Sequence, residues 1–179
     1  MSEYSDQLLI DHRGKDPATK FRPIVMPLVS LAAILFWVYV PMFFKYLSYL
    51  ELPLLVTVYF SLMKHNQIMG TLSGAVIGLV QDALAISQYP LGMYGITKTL
   101  VGYFASSLSL RFDVDNHMLR FVVALFFFLF HSLMYWVLTS ALLGQSGAFA
   151  FKETLLAAVL NAATAVPLFA ILDKLKQRV

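Results

Sequence analysis

The chain has 179 residues, of which 59% are apolar and only 13% charged, with a mean hydropathy of +0.73. A soluble domain carries about 25% charged residues, so the shortfall points to an integral membrane protein. The net charge of +3 sits at helix ends and gives no nucleic-acid surface, and the absence of cysteine excludes disulfides and thiolate metal sites.

Residues 1–23 are polar and carry Asp6, Asp11, Arg13, Lys15, Asp16, Lys20 and Arg22. They read as a cytoplasmic N-terminal tail, without the apolar core and cleavage site of a signal peptide. Six apolar segments follow, at 24–44, 47–63, 68–86, 91–110, 119–143 and 153–172. They predict an all-α, six-helix transmembrane domain over 24–172, with a basic cytoplasmic tail at 173–179. The second segment is the shortest. Pro53 lies near its start, and Lys64, His65 and Asn66 end it.

Charge placement supports this count. With the N-terminus in the cytoplasm, ten cations fall on that side: Arg13, Lys15, Lys20, Arg22, Lys64, Arg111, Arg120, Lys174, Lys176 and Arg178. Only Lys45 and Lys152 fall outside, and Lys98 lies within a span. Removing the second span inverts everything after it and destroys this bias.

The hairpin over residues 70–103 is the most informative stretch. Gly70, Gly74, Gly78 and Asp82 follow one i, i+4 ridge, a small-residue packing row that ends in an acid. On the next helix Gly95, Lys98, Gly102, Ser106 and Ser109 share a face about 60° wide. A short turn from Ser87 to Pro90, with Gly92 just beyond, joins the two helices at the outer face. Asp82 lies about 6 Å below that turn and Lys98 about 12 Å below it, at 1.5 Å per residue. The lysine stem can cover the difference, so an Asp82–Lys98 contact, direct or water-bridged, is expected to fix the register of the hairpin.

His131 and Asn161 are the other deep polar residues and are expected to hydrogen-bond between helices. Glu51 and Glu153 read as solvated acids at the outer face. There is no Walker loop, His-Glu-x-x-His or Gly-x-Ser-x-Gly pattern, and no two carboxylates share a span. Neither an enzyme nor a metal or cofactor site is expected.

Gly74-x-x-x-Gly78-Leu79-x-x-Asp82, Pro90-Leu91-Gly92 and Leu100-x-Gly102-Tyr103 resemble the core of the bacterial rod-shape-determining MreD family. So does the C-terminal stretch with Asn161, Pro167, Leu168, Phe169 and the basic Lys174, Lys176 and Arg178. The resemblance implies a multi-pass protein of the inner membrane. It also implies a fold similar to the substrate-binding subunits of energy-coupling-factor transporters. Its role would be that of a non-enzymatic adaptor in cell-wall elongation, working with MreC and, within one complex, with MreB, RodA and a class-B penicillin-binding protein. A substrate-binding subunit of a vitamin transporter is the alternative. Such subunits tend to carry an Ala-x-x-x-Ala row on helix one; here Ala32 and Ala33 are followed four residues on by Phe36 and Trp37. A small ion or proton transporter built on Asp82, Lys98 and His131 is a third reading.

Overall fold

The computed structural model describes residues 24–64, 66–84, 92–111, 116–144 and 147–176. Among these residues there are six α-helices, α1 (Val25–Phe43), α2 (Leu52–Lys64), α3 (Gln67–Leu84), α4 (Met93–Ser109), α5 (His117–Leu143) and α6 (Phe151–Asp173). The expected polar tail, the turn residues Ser87 and Pro90, and the last three residues lie outside the described residues.

Helix α2 is the hub. Every residue from Pro53 to Met63 is buried, and the helix touches each of the other five. A helix that is apolar on all sides belongs at the centre of a bundle. Around it lie Ile77, Val101, Ala105, Phe127, Ala158, Ala162 and Phe169. Helix α1 is peripheral, with only Ser30, Ala33 and Ile34 buried. Its exposed leucines, such as Leu28 and Leu31, fit a lipid-facing surface.

Four stretches are long and apolar enough to cross a membrane: Val25–Phe43, Lys45–Lys64, His117–Leu143 and Phe151–Asp173. Helices α3 and α4 are of comparable length but are diluted by glycine, serine and the charges of Asp82 and Lys98. The second span differs from the continuous helix expected over 47–63. Residues Lys45–Tyr49 form a 3₁₀ turn, Leu50 is extended, and the α-helix begins only at Leu52. Pro53 falls in the first helical turn, where its missing N–H leaves no bond unmade. The 13 residues of α2 cover only about 20 Å, short of the roughly 30 Å hydrocarbon core. The stretch long enough to cross therefore runs from Lys45 through the 3₁₀ turn, which has no buried residue, to Lys64.

Helices α3 and α4 make the closest packing in the molecule. A Cβ added at Gly74 would collide with the Lys98 carbonyl oxygen, one at Gly78 with that of Tyr94, and one at Gly102 with that of Gly70. At Gly70 a Cβ would come 2.6 Å from the Gly102 oxygen. The two backbones touch along the whole row, so no side chain fits between them. Gly95 differs, because its nearest obstacle is the end of the Leu79 side chain at 2.9 Å. Gly74→Ala should therefore destabilise the purified protein by about 1–3 kcal/mol, the usual range for overpacking, and Gly95→Ala by clearly less. Thermal unfolding in detergent checks the order; a Gly95→Ala variant that melts lower than Gly74→Ala contradicts the backbone contact.

Candidate functional site

Asp82 is buried at the C-terminal end of α3. Its Oδ1 accepts from the Tyr94 backbone N–H at 3.1 Å and its Oδ2 from that of Gly95 at 2.8 Å. These are the second and third residues of α4, whose N-cap is Gly92 in the left-handed conformation at φ 102°. Glycine offers no capping side chain, so the first-turn donors of α4 would be orphaned inside the membrane. Asp82 caps them from the neighbouring helix, with its negative charge at the positive end of the α4 dipole.

Lys98 is completely buried and takes a different partner from the one its sequence position suggests. Its Nζ lies 3.3 Å from Glu51 Oε2 and 3.5 Å from His131 Nε2, and sits 4.6 Å from the centre of the Tyr94 ring. The direct form of the expected Asp82–Lys98 contact is absent, and the two side chains bond directly to different groups. The reason is that the α4 N-terminus claims both Asp82 oxygens. Glu51, read from sequence as a solvated acid, is the residue that answers Lys98. Tyr94, whose ring lies under the ammonium group, stacks on His131, packs tilted against Tyr135 and meets Trp37 edge-on, so an aromatic cluster from α1, α4 and α5 adjoins the ion pair.

Asn161, ten residues into α6, holds the start of α2. Its Oδ1 accepts from the Glu51 N–H at 2.9 Å, and its Nδ2 donates to the carbonyl oxygens of Tyr49 at 2.7 Å and Ala157 at 2.9 Å. The 3₁₀ turn and Glu51 are therefore fastened about 15 Å along α6 from its first residue. One further member was missed in the sequence. The Gln81 side chain is fully buried, and both its amide oxygen and nitrogen lack a hydrogen-bond partner.

A second polar centre lies toward the other end of the bundle. Asp173 accepts from the Tyr59 hydroxyl at 2.9 Å, from Arg120 Nη1 and from Lys176 Nζ at 2.6 Å. It ties α2, α5 and the end of α6 together. Both Tyr59 and Arg120 are buried, and neither stood out in the sequence.

This arrangement fastens helices to one another. The direct contacts run Glu51–Lys98–His131, and Asp82 bonds instead to the α4 backbone. Among the described residues no group of three His, Asp or Glu side chains is placed to hold a metal ion.

The sequence profile of the rod shape-determining protein MreD family matches residues 19–179, which takes in all six helices and both polar centres. The chain belongs to the MreD family. It is thereby a membrane protein of rod-shape determination. No curated protein and no solved structure matches it. The glycine-and-acid hairpin on which the resemblance was read is the part of this chain where two backbones meet and Asp82 caps its neighbour.

The ion pair has a measurable signature. Glu51→Leu leaves the Lys98 ammonium buried without its carboxylate, a change that costs about 3–5 kcal/mol in buried pairs. Replacing both partners, with Glu51→Leu and Lys98→Leu together, should restore much of that stability, because no charge is then stranded. The swap of Asp82→Lys with Lys98→Asp should restore none. Melting temperatures of the three variants and the parent decide this; rescue by the Asp82 swap and not by the Glu51 double change would reassign the pair.

Proposed function

We propose that this chain is a non-enzymatic adaptor of the cell-wall elongation complex, with six transmembrane spans and both termini in the cytoplasm of a rod-shaped bacterium. The observation that carries this reading is how the buried polar groups are used. Asp82, Glu51, Lys98, Asn161 and Asp173 each fasten one helix to another. A protein whose charges lock its helices presents stable faces to partners, which is what an adaptor requires. MreC is the proposed direct partner, with MreB, RodA and a class-B penicillin-binding protein in the same complex. The fold would be that of the substrate-binding subunits of energy-coupling-factor transporters, put to a scaffolding use.

The orientation follows from charge. Lys64, Arg111, Arg120, Lys174 and Lys176 gather at the Asp173 end, and Lys45 and Lys152 at the opposite end. The positive-inside rule assigns the Asp173 end to the cytoplasm.

Because the chain has no cysteine, single-cysteine variants give a clean test of topology. A membrane-impermeant thiol reagent should label Ser87→Cys once the outer membrane is opened, and Gln177→Cys only after the inner membrane is breached. The reverse order rejects the six-span arrangement. The adaptor role is tested by co-purification with MreC and by cell shape. Gly78→Leu, which forces α3 and α4 apart, should lose MreC and give rounded cells. Normal rods with MreC absent from the purified complex would reject the adaptor role, and a tightly held vitamin-like molecule would favour the transporter subunit.

A further inference from the structure

A groove of about 610 Å³ lies between α4 and α5 toward the Asp173 end. Phe104, Val122, Phe126 and Phe130 line it, with Ser107 on α4 and Arg111 just past the end of α4 also among its lining. It closes deeper in the bundle, where the Phe104 and Phe130 rings meet edge-on at 5.4 Å and Phe126 stacks on Phe130 at 6.3 Å. From Arg111 to Phe104 the groove runs about 10 Å along α4, at 1.5 Å per residue. Val122, Phe126 and Phe104 are exposed in it. Arg111 lies just past the end of α4 and is exposed, and among the described residues its side chain makes no hydrogen bond or ion pair. The other arginine described at this end, Arg120, is bound to Asp173.

We infer that this groove is a binding site for a diacyl phospholipid, with one acyl chain along Phe104, Phe126 and Phe130 and the phosphodiester on Arg111. Three features argue for this occupant. The groove is apolar along most of its length and carries at one end an arginine that no described residue pairs with, which matches a lipid in sequence of chain and phosphate. An arginine fork binds phosphate oxygens in a bidentate manner. A basic pocket between transmembrane helices on the cytoplasmic side is a setting in which lipid headgroups are recognised. The inference rests on the membrane orientation proposed above and not on the elongation-complex role. The topology test above and the lipid measurements below therefore fail independently.

The test uses the full chain purified in mild detergent. Native mass spectrometry should show one retained phospholipid. Arg111→Gln should lower the retained fraction about tenfold, the scale of one charge-assisted contact. Val122→Trp, which fills the groove, should abolish retention, and Leu156→Trp on the exposed face of α6 should leave it unchanged. As a second reading, added phosphatidylglycerol should raise the melting temperature of the parent protein and not of Arg111→Gln. Diacylglycerol with the same chains, or inorganic phosphate alone, should not raise it. Equal retention in Arg111→Gln and the parent overturns the proposal, as does equal loss in all three variants. So does a melting response to diacylglycerol that matches phosphatidylglycerol. A photocrosslink from position 122 in native membranes that yields a protein adduct in place of a lipid adduct overturns it in favour of a partner helix.

Discussion

A polar group surrounded by lipid has only the protein to bond to, and this constraint orders the whole bundle. It explains why Asp82 faces the start of α4. Gly92 permits the tight entry into that helix but supplies no acceptor, and the two amide protons behind it must be met from elsewhere. It also explains Asn161, itself fully buried, which satisfies the Tyr49 carbonyl and the Glu51 N–H at the break between the 3₁₀ turn and α2. Irregular backbone next to an apolar helix survives where side chains complete its hydrogen bonds.

Close backbone contact is the second half of the same arrangement. Because Gly70, Gly74 and Gly78 let α3 lie directly on α4, a carboxylate as short as aspartate reaches the α4 amides. Helices separated by ordinary side chains would stand 8–10 Å apart, and a longer acid would then be needed. Packing and capping are therefore one device: the glycine row sets the distance that Asp82 requires.

Much of this was legible in the sequence. The six helices could be read because apolar runs of near-spanning length are interrupted by polar turns such as Lys64-His65-Asn66, where Asn66 caps α3. The glycine row could be read because i, i+4 spacing fixes a face. Partner choice could not. A helical wheel gives direction but not height, and Asp82 and Lys98 do point into the same interior while bonding to different groups. Glu51 was misread because loop acids are usually solvated. A signal was present in the continuous apolar run from Leu52 to Met63, interrupted only by Thr57 and Ser61. A helix with no polar face is central, so the acid at its N-terminus is central too. Tyr59, Arg120 and Asp173 come together from α2, α5 and α6, and no local pattern announces a contact of that range.

The two polar centres bracket an apolar middle, and each joins the central helix α2 to α6 and to α4 or α5. Near Glu51 the ties run to Lys98 and Asn161; at the other end they run from Tyr59 to Asp173 and on to Arg120. Between them the contacts are made by Leu55, Val58, Phe127, Ala162 and Phe169, which pack well but do not select one register over a neighbouring one. Apolar surface gives little drive for helices to associate in lipid, since acyl chains are as apolar as leucine. The directional bonds at the two ends therefore set the register, and the glycine row sets the spacing. Neither alone would specify the bundle: without the glycines Asp82 could not reach its donors, and without the end clamps α2 could slide along its apolar neighbours.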